Sequence, residues 1–329
     1  MQSGNTPRSK RPVFVLGSPR SGTTLLYHML LSAGGFAVYR TESNVFNLLV
    51  PRFGDLSIRE NRQQLMRVWL GSKLYARSGL GSHQIEAKIL QECRSGGDFL
   101  RIVMEEIARN QGMERWADCT PEHLLYLDQI KKAFPDALII HILRDGRDVA
   151  LSLEKQGWIR PYPWDMKKSL LVAGLYWEWI VNRGRKAGRE LCNDYMELHF
   201  EDLISEPYPT LAALGQFIEH DLNYDRIRKV GIGSVSDPNT SFQVEANFKP
   251  VGRWRTQFPA DQLRDFEGLV GGTMKDLGYL VQTTEGSARH ALALKTMRFG
   301  YRSLYSMKLW LKAKTPLGRL FMSDDLSWL

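Results

Sequence analysis

The amino-acid sequence predicts an α/β fold in which a central parallel sheet is flanked by helices on both faces. Two regions of the chain share one pattern, in which a short apolar run precedes a glycine-containing loop and a helical segment. A third stretch, at 196–200, alternates as a further strand would. Strands separated by helices are typical of parallel sheets. With 329 residues, the chain is long enough for one large domain of this kind.

The first unit lies near the N-terminus. Residues 13–16 are all apolar, which indicates a strand buried on both faces of a sheet. A glycine-bounded loop at 17–22 comes next. Apolar residues then recur at helical spacing and predict a helix over 23–31, with Thr23 or Thr24 near its start.

The second unit begins at Pro121, a residue that suits the first turn of a helix. The helix that starts there is predicted to end before Pro135, because the residue before a proline disfavours helical geometry. Residues 138–143 then predict a central strand, and a charged loop leads into a short helix over 149–153. Farther along, residues 170–181 predict a buried helix that contains tryptophan.

Composition divides the chain into a polar N-terminal tail at 1–11, one α/β domain at 12–285 and a basic C-terminal segment at 286–329. The formal net charge is +8, but no Asp or Glu occurs between Gly286 and Ser323, where eight Lys and Arg residues lie. The preceding chain is nearly neutral. A protein that coats nucleic acid would carry its surplus positive charge on the main body, so the sequence does not indicate a nucleic-acid partner.

The C-terminal segment has apolar residues at helical spacing, although Gly300 weakens the prediction of a helix. Aromatic residues such as Phe299 and Trp310 lie among its Lys and Arg residues. Two hypotheses fit this pattern. The helix packs on the α/β domain, or it contacts a membrane surface or another subunit.

The cysteines bear on cellular location. Cys93, Cys119 and Cys192 are far apart and form no Cys-x-x-Cys pair, so neither a disulfide framework nor a zinc site is indicated. The residues at 1–11 lack the apolar core of a signal peptide, and no apolar run reaches about 18 residues. We therefore expect a cytoplasmic protein.

The loop at 17–24, Gly-Ser-Pro-Arg-Ser-Gly-Thr-Thr, has the two glycines and the final threonine of a P-loop. Thr23 stands where a nucleoside triphosphatase places its phosphate-binding lysine, which disfavours triphosphate chemistry. Backbone N–H groups, a helix N-terminus and hydroxyl groups can still bind one phosphate there. Arg20 adds a permanent charge suited to an oxygen on which negative charge develops. The fold is therefore predicted to be of the P-loop nucleotide-binding type, with an ordinary turn as the alternative.

The second motif covers 141–152, His-Ile-Leu-Arg-Asp-Gly-Arg-Asp-Val-Ala-Leu-Ser. Arg144 follows the predicted strand, and Ser152 lies on the helix after it. An arginine at a strand end and a serine on the next helix can converge on one phosphate. The alternative is a charged cluster that faces water.

Taken together, the two motifs resemble those of sulfotransferases that use 3′-phosphoadenosine 5′-phosphosulfate (PAPS), particularly the arginine-type loop of the tyrosylprotein and bacterial branches. The resemblance implies that Arg144 and Ser152 hold the 3′-phosphate of PAPS. It also implies a hydroxyl-bearing acceptor, 3′-phosphoadenosine 5′-phosphate (PAP) as a product, and no metal. The same resemblance implies that the 5′-phosphosulfate is bound by Pro19, Arg20, Ser21, Gly22, Thr23 and Thr24.

Two weaker segments extend the resemblance to about residue 280. Residues 201–203, Glu-Asp-Leu, are similar to a family segment in which tyrosine stands where this chain has Phe200, and we assign them a structural role. The sequence Lys-Pro-Val-Gly-Arg-Trp-Arg at 249–255 resembles a late loop that covers the cofactor. Lys249 is the first candidate there for a phosphate contact and Arg253 the second, with an ordinary surface loop as the alternative.

Transfer of a sulfuryl group to an alcohol or phenol requires a base that removes the acceptor proton. The tyrosylprotein branch uses a glutamate shortly after the first helix, and Glu42 occupies the matching region. Its alternative role is a charge that favours the start of a helix. The cytosolic branch uses a histidine, which makes His123 the reserve candidate. Cys119 stands where related bacterial sequences often have lysine.

The sequence thus predicts sulfuryl transfer from PAPS to an alcohol, sugar or phenol, with Glu42 as the base and Arg20 stabilising the departing phosphate oxygen. One alternative is a noncatalytic module that binds a nucleotide or an anion. Another is a small-molecule kinase, which would need a lysine after Gly22 and an acidic Mg²⁺ site. Four tryptophans are candidates either for an acceptor cleft or for the core: Trp158, Trp164, Trp177 and Trp179.

Overall fold

The computed structural model describes residues 6–231, 250–282 and 288–315. Within these ranges, five strands form one parallel sheet in the order β2-β3-β1-β4-β5. The strands are β1 Val13–Gly17, β2 Phe36–Ala37, β3 Arg115–Asp118, β4 Leu138–Leu143 and β5 Tyr195–His199. The most buried strands, β1 and β4, thus lie side by side in the interior of the sheet.

Helices cover both faces of this sheet. In the described part of the chain, the α-helices are α1 Thr23–Ala33, α2 Val50–Phe53, α3 Arg59–Leu70, α4 Lys73–Ala76, α5 Ser82–Glu92, α6 Gly96–Asn110, α7 Leu127–Ala133, α8 Gly146–Gln156, α9 Ser169–Arg189, α10 Phe200–Ser205, α11 Pro207–Ile218, α12 Tyr224–Val230, α13 Trp254–Gln257, α14 Ala260–Asp276 and α15 Ala288–Lys314. Short 3₁₀ helices occur at Arg8–Lys10, Pro121–Tyr126, Pro163–Lys168 and Cys192–Asp194, and a π-helical turn at Val45–Leu49.

The core confirms that helices pack on both faces. Phe14 and Leu16 of β1 belong to one apolar cluster, whereas Val13 and Val15 belong to another on the opposite face. Side chains of successive strand residues point to opposite faces, so one wholly apolar strand supplies both clusters. The predicted buried helix is α9, whose Trp177 is fully buried in the larger cluster.

Several predicted elements differ in their bounds. The helices predicted over 23–31 and 170–181 are longer in the structure, as α1 and α9. The predicted helix after Pro121 is split into a 3₁₀ helix and α7, because Tyr126 has φ −124° and ψ 26°, outside the helical region. The third predicted strand ends at His199, and Phe200 starts α10. The helix after β4 is longer than predicted, since it begins at Gly146.

The N-terminal tail is packed on the domain where the structure describes it. Arg8 donates its Nε hydrogen to the carbonyl oxygen of Phe217 at 2.9 Å. In turn, the Arg115 guanidinium donates to the carbonyl oxygens of Arg8 and Arg11, at 2.7 and 2.8 Å. Residues 6–11 therefore close one end of the sheet rather than trailing away from it.

The C-terminal helix α15 also packs on the α/β domain, against α9 and α14. It continues through Gly300, and its Tyr301 side chain is buried. The Arg298 guanidinium donates two hydrogen bonds, of 2.8 and 2.6 Å, to the fully buried carboxylate of Glu178 on α9. Among the helices that the structure describes, none has the length and apolar character needed to cross a bilayer.

Removal of the Arg298 side chain should destabilise the protein strongly. The variant Arg298→Ala leaves Glu178 buried without its counter-charge, which typically costs about 3 kcal/mol or more. The exposed Arg302 of the same helix provides the control, because Arg302→Ala should change the free energy of unfolding by about 0.5 kcal/mol at most. Urea denaturation measures both values. Equal stability of the two variants would show that the pair does not fix α15 to the domain.

Candidate active site

A cavity of about 600 Å³ lies beyond the carboxyl ends of β1 and β4. Three parts of the chain form most of its wall: the loop after β1 with the start of α1, the residues after β4 with α8, and the stretch at 42–47. Ligands of open parallel α/β sheets bind outside the carboxyl ends of the strands. The cavity therefore lies where the fold favours ligand binding.

The loop between β1 and α1 requires both of its glycines. A Cβ atom on Gly17 would lie 2.7 Å from the carbonyl oxygen of Ile142. Gly22 has φ +98°, and a Cβ atom there would lie 2.2 Å from the Phe200 ring. Both distances are shorter than any van der Waals contact. These close approaches hold the loop against β4 and α10 and direct the first turn of α1 toward the cavity.

The predicted phosphate-binding residues of this loop differ in whether they line the cavity. Pro19, Arg20, Gly22 and the two threonines Thr23 and Thr24 line the cavity. Ser21 is fully buried, and its hydroxyl oxygen has no hydrogen-bond partner among the described residues. The first turn of a helix presents N–H groups that have no intrahelical acceptor. The loop and the first turn of α1 thus offer several donors that no described residue uses.

The two sequence motifs meet at Arg20. Its Nε hydrogen is donated to the Ser152 hydroxyl oxygen at 2.9 Å, across 132 residues of sequence. Arg144 donates from Nη1 to the carbonyl oxygen of Arg20 at 2.8 Å. The Arg144 guanidinium also lies over the Phe200 ring, 4.4 Å from its centre. One cavity wall therefore holds Arg20 in direct contact with both Arg144 and Ser152.

Three arginines, Arg20, Arg144 and Arg253, form what we call the arginine cluster, and all three line the cavity. The pKa of Arg144 is lowered to about 10, mainly by burial and in addition by the positive charges of Arg253 and Arg20, against the opposing effect of Asp148. The pKa of Arg20 is likewise lowered by burial and then by Arg253. Within the described chain, Nε of Arg144 has no hydrogen-bond acceptor. Mutually repelling guanidinium groups with an unused donor favour a bound anion.

Glu42 lies on the cavity wall with its side chain open to the cavity. Its surroundings are otherwise protein, and this desolvation raises the pKa of its carboxyl group to about 8, with the negative charges of Glu122 and Asp118 adding to the effect. The positive charge of Arg20 opposes the shift. A carboxyl group with a pKa near neutrality, in a cleft beside cations, is suited to proton transfer.

The backbone around Glu42 is held by the end of β3. The hydroxyl oxygen of Thr120 accepts the N–H groups of Ser43 at 3.0 Å and Asn44 at 3.3 Å. That hydroxyl donates in turn to Asp118 at 3.2 Å. Asn44 adopts a left-handed conformation, with φ 52°, and its side chain donates to the carbonyl oxygen of Glu42. This arrangement fixes the turn that presents the Glu42 side chain.

His123 does not line the cavity. It is fully buried, with Nδ1 2.9 Å from the Asp118 carboxylate and Nε2 accepting the N–H of Phe46 at 3.2 Å. Since Nε2 accepts, Nδ1 carries the proton and donates it to Asp118. Both ring nitrogens are therefore engaged inside the protein, and the geometry disfavours His123 as a base for an acceptor in the cavity. It instead joins β3 to the stretch at 42–47.

Sequence analysis did not identify Asn44, Asn47 or Glu122 as part of the site, although all three line the cavity. Glu122 accepts a 2.6 Å hydrogen bond from the Tyr176 hydroxyl. The only sequence signal was its position beside His123, within a segment singled out for the histidine. A glutamate in the first turn of a helix is common as a favourable charge, so the pattern alone gave no reason to select it.

The remaining candidates fall into three groups. Trp158 lines the cavity and lies beneath the Arg20 guanidinium, 5.5 Å from its ring centre. Trp177 and Trp179 are core residues, and Trp164 is on the surface. Lys249, the first candidate of the late loop, lies outside the described residues.

Two further chemical features complete the description of the site. Cys119 is buried, and this raises the pKa of its thiol, so it supplies neither the charge nor the donor of the expected lysine. Among the described residues, no group of three or more His, Cys, Asp and Glu side chains could hold a metal ion.

Comparison with known proteins was made at the level of sequence and of fold. A model of the sulfotransferase family matches residues 12–224. Protein-tyrosine sulfotransferase 1 of Danio rerio is 21% identical over 280 residues, which cover 81% of this chain and 72% of that protein.

Two solved structures share the fold. The sulfotransferase domain from the curacin biosynthetic pathway has a TM-score of 0.53 at 15% identity, over 82% of this chain and 98% of that domain. The sulfotransferase domain from the olefin synthase of Synechococcus PCC 7002 has a TM-score of 0.51 at 17% identity, over 90% of this chain and 94% of that domain.

Proposed function

This chain belongs to the sulfotransferase family, and we propose that it transfers a sulfuryl group from PAPS to a hydroxyl group of an acceptor. The family match confirms the resemblance carried by the two motifs. The observation that supports this reaction most directly is the position of Arg20. It contacts Ser152 and Arg144, and its charge also acts on Glu42. The residues proposed to bind the donor and the candidate base thus lie in one cavity.

The residues present fit PAPS as the donor. Its 5′-phosphosulfate would be held by the loop at 19–24, where the buried hydroxyl of Ser21 lacks a partner in the described structure and the N-terminus of α1 favours an anion. Its 3′-phosphate would be held by Arg144 and Ser152, with Arg253 also on the cavity wall. PAPS supplies an activated sulfuryl group whose departure from phosphate the protein must assist.

Glu42 is proposed to accept the proton of the acceptor hydroxyl on its carboxylate. Its raised pKa, about 8, makes the protonated form stable in the cavity, so the carboxylate is a better base than an exposed glutamate. The proton must leave as the acceptor oxygen bonds to sulfur, since otherwise a positive charge would develop on that oxygen. Such a base typically accelerates the transfer about 10²–10⁴-fold.

Arg20 is proposed to stabilise the negative charge that develops on the phosphate oxygen as its bond to sulfur breaks. The Ser152 hydroxyl and the Trp158 ring hold its guanidinium in place. A donor that is already oriented requires little reorganisation during the reaction, which is why such groups contribute strongly to catalysis. This role does not require a metal.

The mixed character of the cavity wall supports an acceptor with both polar and apolar parts. Asn44, Asn47 and Glu122 lie on this wall, as do Leu153 and Ile159. A sugar, a phenol or another alcohol offers groups for both kinds of surface. We propose an acceptor of this class.

Calorimetric titration of the purified protein with PAP tests the donor site directly. We expect PAP to bind at least about tenfold more tightly than AMP, which lacks the 3′-phosphate, because charge-assisted hydrogen bonds contribute about 1.5–3 kcal/mol. The variant Arg144→Ala should weaken PAP binding and remove the difference between PAP and AMP. The exposed Arg59 serves as the control through Arg59→Ala.

Two outcomes would contradict the proposal. Equal affinity for PAP and AMP in the unaltered protein would mean that Arg144 and Ser152 do not hold a 3′-phosphate. A clear preference for ATP over PAP would instead favour the kinase alternative.

A further inference from the structure

The helix α15 has two different apolar faces. The inner face packs on the domain through residues such as Tyr301 and Leu309. The outer face carries Leu292, Phe299 and Trp310, which are 66%, 75% and 59% exposed. Their spacings of seven and eleven residues place them along one line on a helix with 3.6 residues per turn. A row of large apolar side chains therefore faces away from the protein.

Single exposed apolar residues are common, but an aligned set bordered by polar residues marks an interaction surface. The row runs for much of α15, which has 27 residues and is thus about 40 Å long. Met307, 52% exposed, lies one turn from Trp310 and widens the row. We call these four residues the outer row.

The charges beside the outer row all have one sign. No Asp or Glu occurs in α15, and Arg289, Lys295, Arg302 and Lys314 are exposed at its flanks. Among the described residues, α15 forms two ion pairs with the rest of the chain, Arg298 with Glu178 and His290 with Asp265. Lys295, Arg302 and Lys314 form no ion pair within this part of the chain. In the part of the chain that the structure describes, the helix thus presents apolar side chains between cations, and these three cations form no ion pair with a carboxylate.

We infer that α15 docks on an anionic membrane surface through its outer row, with the flanking Lys and Arg residues facing the lipid headgroups. Phe, Trp and Leu between basic residues suit the boundary between headgroups and acyl chains. Each Lys or Arg near an anionic bilayer strengthens the attraction. A second copy of this chain is less well matched, because it would bring two basic helices together.

The inner face of α15 contacts a loop that also reaches the cavity. The Tyr162 N–H is hydrogen-bonded to the hydroxyl of Tyr301, and the Tyr162 ring stacks on Trp164 at 4.9 Å. Trp164 is 71% exposed. The same loop begins just before Trp158, which lines the cavity. Tyr301 thus joins α15 to the loop that supplies Trp158 to the cavity wall.

Vesicle flotation of the full chain tests the inference. We expect the protein to float with vesicles of equal parts phosphatidylcholine and phosphatidylserine, and not with phosphatidylcholine alone. The double variant Lys295→Glu and Arg302→Glu should reduce binding by at least about 25-fold, since each cation contributes roughly fivefold. The double variant Phe299→Ser and Trp310→Ser should reduce it about tenfold or more.

Matched controls come from the exposed Arg59 and Arg67 of α3, which lie eight residues apart. The double variant Arg59→Glu and Arg67→Glu changes the net charge equally but should float nearly as the unaltered protein does. PAP titration of every variant reports the donor site separately. Unchanged PAP binding with lost flotation supports the docking surface whether or not the proposed sulfuryl transfer is correct.

Three results would overturn the inference. The unaltered chain does not float with the anionic vesicles, or the α3 control loses binding as strongly as the α15 charge variant does. Alternatively, light scattering shows a dimer that Phe299→Ser and Trp310→Ser dissociates, which would assign the outer row to a second copy of the chain.

Discussion

The variant Glu42→Gln should lower kcat/KM about 10²–10⁴-fold while PAP still binds. Glutamine has nearly the same shape but cannot accept the acceptor proton. Glu42 lines the cavity, and the proposed phosphate contacts are made by other residues. Loss of the carboxylate should therefore affect the transfer step rather than donor binding. The measurement is a rate assay with labelled PAPS, with PAP affinity determined on the same samples.

The pH dependence provides an independent check on this role. The carboxylate form is the base, and the pKa of Glu42 is about 8. We therefore expect kcat/KM of the unaltered protein to rise with pH and to level off above about pH 8. Glu42→Gln should lack this rise. A variant of an exposed glutamate on α3, Glu60→Gln, should keep both the rate and the profile.

The contribution of Glu42 to the free energy of unfolding should fall as pH rises, whereas kcat/KM should increase. The pKa of Glu42 is higher in the folded protein than its ordinary value of 4.5, so the unfolded chain loses its proton first. Folding is consequently disfavoured as pH rises from about 4.5 through about 8. Relative to the unaltered protein, Glu42→Gln should be more stable at pH 9 than at pH 5. Urea denaturation at the two pH values measures this difference.

The role of Glu42 as the base would be contradicted by near-normal turnover of Glu42→Gln.

The parts of the fold that could be predicted from sequence are those in which local pattern and burial coincide. Strand β1 is apolar throughout, and β4 is apolar except for His141, because each strand is buried on both faces. Their apolar runs are visible without any tertiary information. By contrast, β2 has two residues, and β3 begins with Arg115 and ends with Asp118. Arg115 is buried, and its guanidinium is hydrogen-bonded to the N-terminal tail. No local sequence pattern reveals this tertiary contact.

The same distinction applies to the candidate site. The loop at 17–24 and the motif at 141–152 are contiguous, so their residue types and spacing could be interpreted directly. The contact of Arg20 with Ser152 joins residues 132 positions apart and depends on the pairing of β1 with β4. His123 is a case in which local sequence context was misleading. The context suggested a reactive base, whereas packing buries the side chain against Asp118.

The second large effect is expected at Arg20. Loss of one oriented donor that stabilises developing charge lowers kcat about 10²–10³-fold, and Arg20→Ala should show a loss of this size with labelled PAPS. Arg20→Lys keeps the charge but not the planar group that reaches Ser152 through Nε. We expect it to recover only part of the rate, since lysine does not reproduce a fixed guanidinium contact.

Backbone geometry at Arg20 supplies the control that separates this effect from instability. Arg20 has φ 73°, which glycine adopts without strain and alanine does not. Arg20→Gly should therefore unfold at a higher temperature than Arg20→Ala. If the charge is what assists transfer, both variants should be equally impaired in kcat despite this difference. If rate instead follows stability, so that Arg20→Gly is nearly as active as the unaltered protein, the role proposed for the guanidinium is wrong.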